Sequence, residues 1–217
     1  MARTIVSRHD AHARICRHRH VDGYAALVLT GGYIEAGEGG RTRVAAGHVL
    51  VHQPYEAHFN QFSVYGATVL NIPLMTEFKA SSGEVCDPDA IVRAAERSSF
   101  EAADLLRDNL KPGGGRMEDW PDELAAALLD DTVFSLTEWA DLKCLSPQSL
   151  SRGFRQTYGT SPKRYRLEQR TLRTVCKLRH WQGSLADLAA EQGWADQAHL
   201  TRAVLAVTGT TPHRLRG

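Results

Sequence analysis

The sequence has few of the features that mark secreted or membrane proteins. Its first residues, MARTIVSRHD, contain no apolar run that would form the core of a signal peptide. No stretch approaches the roughly 18 consecutive apolar residues of a membrane-spanning helix. The four cysteines lie far apart without a CxxC pair, which disfavours a disulfide framework or a cysteine-type zinc finger. We therefore expect a cytoplasmic protein with reduced thiols and no membrane association.

The chain also has little net charge, only +1 from 26 basic and 25 acidic residues. That balance hides an uneven distribution. Residues 135–217 hold 13 Lys and Arg against 6 Asp and Glu, a net charge of +7, whereas residues 1–134 hold 13 against 19, a net charge of −6. A basic third joined to an acidic remainder predicts two modules, of which the basic one is a candidate for a polyanionic partner.

The first 76 residues show short runs of alternating polarity, separated by Gly, Asn and Pro. The predicted strands are residues 24–30, 33–36, 41–44, 48–52 and 67–72. The sequence GEGG at residues 37–40 predicts a hairpin turn, because glycine adopts positive φ without strain. A run of strands without helices favours a small barrel or sandwich.

From residue 87 to about 131 the period becomes helical. Asp87 followed by Pro88 predicts a helix start, and Ser98 with Glu101 three residues later predicts a capping box for a second helix. Residues 111–121 are predicted to be a loop and residues 122–131 a further helix. This acidic segment is either a helical connector or a dimerisation surface, and the sequence leaves both open.

From residue 135 onward the chain is helical and repeats itself after about fifty residues. Ser135 and Ser184 each begin a helix, with an acidic residue three positions later. After a short break follow QSLSRGFRQTYG in the first copy and AHLTRAVLAVTG in the second. Helix, short turn and helix is the helix-turn-helix unit, whose second helix enters the DNA major groove.

The second helix of each copy has a solvent face suited to reading bases. Arg binds guanine O6 and N7 with two hydrogen bonds, Gln pairs with adenine, and the Thr methyl contacts thymine. The residues on these faces are Gln148, Ser151, Arg152 and Arg155 in the first copy, and Gln197, Thr201 and Arg202 in the second. Isolated patterns of this kind are often ordinary helical hairpins, and Gln148 and Ser149 equally suit surface or cap positions. Two copies, the basic charge and the spacer between the copies favour DNA binding.

The spacer is predicted to be one helix over residues 163–181. At about 1.5 Å per residue it would be roughly 28 Å long. Successive major-groove faces of a duplex lie about 34 Å apart. The second helices of the two copies, joined by one stiff helix, would therefore lie on the same side of the DNA.

The repeat resembles the double helix-turn-helix domain of AraC/XylS-type transcription regulators. The stretches that carry the resemblance are LSPQSLSRGFRQTYGTSPKRYRLEQR and SLADLAAEQGWADQAHLTRAVLAVTGTTPHRLR. The resemblance implies that the first reading helix makes most base contacts, and that Ala198 belongs to the contacts of the second. The full predicted DNA-binding set is Gln148, Ser149, Ser151, Arg152, Arg155, Gln197, Ala198, Thr201 and Arg202.

The sequence departs from that family at two places. Cys144 stands in the first turn where glycine is usual, which implies strain if the position keeps positive φ. Val204, Leu205 and Ala206 stand where an aromatic residue and one or two basic residues are usual. We therefore expect the second reading helix to hold phosphate less firmly than the first.

Seven of the ten histidines fall in residues 9–58. The stretches HRH and GHVLVHQPYEAHFN resemble the two motifs of a cupin barrel, a fold that AraC-type regulators often carry as a sensor. This resemblance implies a divalent transition-metal site at His18, His20 and His58, since imidazole suits such metals. The expected Glu is missing and only Asp22 lies nearby, so histidines that line an organic-ligand pocket or hydrogen-bond in the core remain alternatives.

The sequence thus predicts an α+β protein in three segments. These are a cupin-like β-barrel sensor at residues 1–80, a helical connector or dimerisation segment at 81–132, and a tandem helix-turn-helix domain at 133–217. The predicted function is a non-enzymatic transcription regulator that binds double-stranded promoter DNA and a small-molecule effector. RNA polymerase is a further partner if the protein activates, and a homodimer is one use of the connector.

Two other classes are less well supported by the sequence. A metal-dependent cupin enzyme fused to a DNA reader needs a complete ligand set, and the carboxylate is missing. A methyl-accepting DNA-repair regulator needs a cluster of cysteines near the N-terminus, where the chain has only Cys16 and Cys86.

Overall fold

The computed structural model describes residues 4–129 and 135–216. The chain divides into two compact units, Met1–Glu118 and Asp119–Gly217. The first is built on an antiparallel sheet and the second is helical, as the sequence predicts. The boundary between the units falls inside the predicted connector, and the predicted junction at residues 132 and 133 lies outside the described residues.

The N-terminal unit contains eight strands in its described residues. They are β1 Ile5–His9, β2 Arg14–Arg19, β3 Tyr24–Gly37, β4 Gly40–Ala45, β5 His48–His52, β6 Ala57–Pro73, β7 Ser82–Glu84 and β8 Lys111–Pro112. The two long strands β3 and β6 pair with each other, and each of them also pairs with two shorter strands. The strands predicted at 24–30 and 33–36 are the two halves of β3. The predicted turn is confirmed, since Gly37 pairs with Gly40 across Glu38 and Gly39.

Gly31 of β3 and Gly66 of β6 lie against each other, and the pairing register of the two strands shifts on either side of Gly31. Gly31 has φ 71° and pairs with Ala67, and Gly66 has φ 63°. A Cβ atom at Gly66 would lie 2.2 Å from the carbonyl oxygen of His9, and a Cβ atom at Gly31 would lie 2.1 Å from the carbonyl oxygen of Gly66. Only glycine, which has no Cβ atom and adopts positive φ without strain, therefore allows the two backbones to approach this closely.

Alternate residues of β3 face two separate cores. Ala25 and Leu27 belong to one hydrophobic cluster, named the outer cluster here. Ala26 and Val28 belong to a second cluster around Tyr33. Period-two alternation in a central strand produces this division.

Helices α1 Pro88–Arg97 and α2 Ser99–Asn109 cover the outer cluster with apolar residues, and the predicted helix starts after Asp87 and Ser98 are confirmed. The predicted capping box is incomplete, because the Ser98 side chain accepts from the amide of Glu101 but the Glu101 side chain pairs with Arg97.

The prediction of a loop over residues 111–121 is wrong at both ends. Lys111–Pro112 form β8, which pairs with β7, and Arg116 makes an isolated bridge with Thr42. Helix α3 begins at Trp120, so that Pro121 lies in its first turn. The glycines between these points suggest a loop, but backbone partners that lie far away in the sequence decide the structure at its two ends.

The C-terminal unit consists of seven helices in its described residues. They are α3 Trp120–Leu129, α4 Leu136–Leu142, α5 Pro147–Tyr158, α6 Pro162–Leu178, α7 Leu185–Glu191, α8 Gln197–Thr208 and α9 Pro212–Leu215. The predicted spacer is α6, which ends at Leu178, so Trp181 lies beyond the helix. Its 17 residues span about 25 Å. Among the described residues, no helix is long and apolar enough to cross a membrane.

Helix α6 forms part of the core of both helix-turn-helix units. Near its start the ring of Tyr165 packs edge-on against Phe154 and Tyr158, with centroids 5.4 Å apart in both pairs. Near its end Val175 and Leu178 join the cluster of α7 and α8. The spacer is therefore fixed to both readers by buried apolar contacts.

Candidate nucleic-acid interface and N-terminal histidine cluster

Helix α5 is amphipathic and closely capped. The Ser146 side chain accepts a hydrogen bond from the amide of Ser149, Pro147 is the first helical residue, and Gly159 ends the helix at φ 68°. The buried face consists of Leu150, Phe154 and Tyr158. Because these residues are spaced by four, the opposite face of the helix points to solvent.

Helix α8 repeats this design at a distance of fifty residues. Asp196 caps its start by accepting a hydrogen bond from His199, and Gly209 ends it at φ 70°. Leu200 and Val204 are buried at the positions of Leu150 and Phe154. The two reading helices therefore share their caps, their buried spacing and their ends.

The turn before each reading helix follows the same hydrogen-bond pattern. The amide of Leu145 donates to the carbonyl of Ala140, and the amide of Trp194 donates to the carbonyl of Ala189, both at 2.9 Å. The residue before each of these amides is left-handed, Cys144 with φ 53° and Gly193 with φ 68°. The positive φ at Cys144, on which the expected strain depends, is thus present.

The predicted contacts of α5 are brought together on one surface. Gln148, Ser151, Arg152 and Arg155 line it together with Pro147 and Gln156. Gln148, Arg152 and Arg155 are exposed, and Ser151 is half-buried. Ser149 is exposed, and its hydroxyl accepts a hydrogen bond of 2.9 Å from Ser146, the N-cap residue of α5.

The predicted contacts of α8 also lie on its accessible side. Gln197, Ala198 and Arg202 are exposed, and Thr201 is half-buried. Of the three residues expected to weaken phosphate binding, Leu205 and Ala206 are exposed. Val204 is fully buried and belongs to the core, so it has no part in a phosphate-binding flank. The basic residues that are usual in the family are therefore replaced at Leu205 and Ala206, the positions that match Arg155 and Gln156 of α5.

The N-terminal unit has a cavity of about 610 Å³. Its apolar lining includes Ile15, Ala26, Phe62 and Val69, and its polar lining includes histidine, asparagine and glutamate side chains. A volume between roughly 300 and 1,000 Å³ with a mainly apolar wall and a few polar groups is typical of a small-molecule site.

The histidines predicted to form a metal site do come together. His18 and His58 are register partners on β2 and β6, and one donor atom from each of His18, His20 and His58 lies within 4.8 Å of the others. The register of β2 against β6 shifts between Ile15 and His18. The carbonyl of Cys16 lies 3.0 Å from Nδ1 of His18, and its side chain is exposed.

A second group beside this one was not predicted. Donor atoms of Glu35, His52 and His58 also lie within 4.8 Å of one another, and all three residues are buried. Glu35 lies eleven residues beyond Tyr24 on β3, and it faces the cluster because it pairs with Asn60 of β6. The sequence marks Glu35 only as an acidic residue within the predicted strand 33–36, because its place opposite Asn60 depends on the pairing of β3 with β6.

Burial dominates the protonation of this group. It raises the pKa of Glu35 to about 8, although the hydrogen bond from Asn60 acts in the opposite direction. Burial, together with the neighbouring His20 and His18, lowers the pKa of His52 to about 3. Burial also lowers the pKa of His58 far below its ordinary value. At neutral pH the group therefore holds a protonated carboxyl and two neutral imidazoles.

Two capped reading helices joined by a packed spacer make this part of the chain a tandem helix-turn-helix domain, a class of domain that places its second helix in the DNA major groove. The family is given by residues 139–217, which match the family model described as a helix-turn-helix domain. This part of the chain belongs to the AraC-type helix-turn-helix domains. No curated protein matches the chain.

Several solved structures are similar to the chain. ToxT from Vibrio cholerae is 7% identical with a TM-score of 0.44, over 98% of this chain and 97% of that one. The DNA-binding domain of AdpA, in complex with a target DNA, is 23% identical with a TM-score of 0.41, over 46% of this chain and 91% of that one. The C-terminal domain of AraT, a response regulator from Geobacillus stearothermophilus, is 19% identical with a TM-score of 0.42, over 47% and 87%. Because these scores are low, the family assignment rests on the family model.

Proposed function

We propose that this regulator reads promoter DNA mainly through α5, with α8 as a second and weaker reader. The observation that carries the proposal is the single exposed surface formed by Gln148, Ser151, Arg152 and Arg155, opposite the buried face of α5. Arg152 lies between Gln148 and Arg155 in the sequence, and its planar guanidinium can donate two hydrogen bonds to guanine. Arg155 lies one residue beyond the buried Phe154 and suits a phosphate contact.

The weaker role of α8 follows from the positions that differ. Arg155 is matched by Leu205, which is 46% exposed and has no charge to offer a phosphate. Arg152 is matched by Arg202, so one base-reading side chain is retained. Loss of a phosphate contact lowers affinity for all sequences and reduces the salt dependence of binding by about one unit of slope.

We further propose that a small molecule in the 610 Å³ cavity regulates DNA binding. Its apolar wall favours a ligand with an apolar body, and His18, His58 and Asn60 provide polar groups that would orient one end of it. Such a ligand acts by binding one conformational population more tightly than another. The proposed sensor is the cupin-like barrel at the N-terminus.

The test begins with selection of bound sequences from a random DNA pool, using the full chain. Wild type should enrich one motif, and Arg152→Ala should weaken binding to that motif by about 1–3 kcal/mol and relax its base preference. Gln156→Ala is the matched control, because it removes a side chain from the same surface without removing a charge. Enrichment of the same motif at the same affinity by Arg152→Ala would refute the role given to α5.

A further inference from the structure

The N-terminal unit contains a closed set of metal donors that differs from the one expected from the sequence. Glu35 comes from β3, His52 from the end of β5 and His58 from β6. Their exposed fractions are 6%, 6% and 3%. Three donors on three paired strands are held by the sheet, so their positions are set before any ligand arrives.

Two of these donors are left without partners. Nε2 of His52 and Nδ1 of His58 are buried and have no hydrogen-bond partner among the described residues. A buried imidazole nitrogen without a partner is destabilising, because it has lost its hydrogen bonds to water and gained none in the protein. Nε2 of His52 lies 3.6 Å from Oε1 of Glu35, beyond hydrogen-bond distance. The gap between these atoms is close to the separation of about 3.4 Å between neighbouring ligands of a tetrahedral zinc ion.

One further atom of Glu35 and one of His58 are held by other side chains. Nδ2 of Asn60 donates a hydrogen bond of 2.8 Å to Oε2 of Glu35, which leaves Oε1 to face His52. The hydroxyl of Tyr24 lies 3.3 Å from Nε2 of His58, which leaves Nδ1 as its second ring atom. Hydrogen bonds of this kind orient metal ligands and fix their tautomers.

We infer that Glu35, His52 and His58 bind one divalent transition-metal ion in the N-terminal unit. Two imidazoles and one carboxylate match the donor preferences of zinc and ferrous iron, and three protein ligands leave a position for a small molecule. A divalent ion would also add to the favourable charge that Arg17 supplies to an ionised Glu35 at this buried place. Glu35 and His58 line both the 610 Å³ cavity and a smaller one of about 300 Å³, so the ion would lie in the wall between them.

The alternative set of His18, His20 and His58 shares one ligand with this one. His20 is exposed and His18 is half-buried, and Nδ1 of His18 already lies 3.0 Å from a backbone carbonyl. Burial and lack of partners therefore favour the set that contains Glu35 and His52. The inference does not depend on the roles given to α5 and α8.

The experiment uses the full chain, stripped of metal by a chelator and then titrated with Zn²⁺, with Co²⁺ as a spectroscopic probe. Wild type should bind one ion per chain. Glu35→Gln and His52→Gln should each weaken binding by at least about 100-fold, since loss of a ligand exceeds the 10–100-fold effect of a supporting residue. His18→Gln and His20→Gln, which change histidines of the same cavity, are the matched controls and should bind almost as tightly as wild type.

X-ray absorption of the wild-type zinc complex provides a test that needs no variant to fold. It should show two imidazoles and at least one oxygen ligand. No stoichiometric ion in wild type would overturn the inference. A spectrum with three imidazoles, or loss of binding in His18→Gln and His20→Gln while Glu35→Gln and His52→Gln bind normally, would overturn it as well and would assign the ion to the other set.

Discussion

Cys144 and Gly193 occupy the same backbone position in the two helix-turn-helix units, with φ angles of 53° and 68°. Each directly precedes an amide that bonds back to the buried alanine of the preceding helix, Ala140 or Ala189. The geometry therefore requires a left-handed residue in both copies, although only the second copy has glycine. A left-handed conformation costs a residue with a Cβ atom about 1–2 kcal/mol.

The first prediction concerns this pair. Cys144→Gly should stabilise the C-terminal unit by about 0.5–1 kcal/mol, because the relief of strain exceeds the added chain entropy of glycine. Gly193→Ala should destabilise it by about 1 kcal/mol, since a Cβ atom there meets no atom within 4 Å and only φ opposes it. All four tryptophans lie in residues 120–194, so urea unfolding followed by tryptophan fluorescence reports on this unit.

Cys144→Ala separates strain from the chemistry of the thiol. It keeps a Cβ atom, so its stability should stay close to that of wild type. Equal stabilisation by alanine and glycine would contradict the explanation.

Gly66 has no room for a side chain. Gly66→Ala should destabilise the N-terminal unit by about 2 kcal/mol or more, because its Cβ atom would meet the carbonyl of His9 at 2.2 Å with φ at 63°. Gly39→Ala is the control, since its nearest neighbour would be Ser81 Oγ at 4.0 Å. Circular dichroism should show a shifted transition in Gly66→Ala only, and equal shifts in both variants would refute the close approach.

The third prediction concerns Glu35 and pH, measured with chelator present. The folded-state pKa of about 8 lies above the ordinary 4.5, so the unfolded state releases the proton first as pH rises. Glu35 therefore lends stability below pH 4.5, and that stability is lost as pH rises through the window from 4.5 to 8. His52 has the opposite sign, since its depressed pKa costs stability as pH falls from 6.5 towards 3.

Glu35→Gln isolates the first of these effects. The stability of Glu35→Gln relative to wild type should increase from pH 4.5 to 8 and then become constant. Denaturant unfolding followed by circular dichroism at several pH values measures this difference. A difference that does not change with pH would mean that Glu35 ionises normally in the folded protein.

The parts of the fold that the sequence predicts well depend on local signals. The helix caps at Asp87, Ser98, Ser135 and Ser184 and the turn at residues 37–40 all lie within a few residues of the elements they define. Helix caps and apolar periodicity are written in adjacent residues, so one sequence is enough to locate them.

The parts that it missed depend on partners far along the chain. Glu35 joins the histidines only because β3 pairs with β6, and β8 exists only because β7 lies beside it. The continuity of β3 through Gly31 depends in the same way on its contact with Gly66. No local pattern encodes such pairings, and the predicted loop over 111–121 was wrong for that reason.

Reading of two successive major grooves by one chain requires a fixed spacing between the two halves of the DNA site. On the selected site, inserting about 5 base pairs between the two halves turns one half to the other side of the duplex. Wild type should then bind no better than Arg202→Ala binds the intact site, and Arg202→Ala should be insensitive to the insertion. Wild-type affinity that survives the insertion, or a larger loss from Arg202→Ala than from Arg152→Ala on the intact site, would contradict the account.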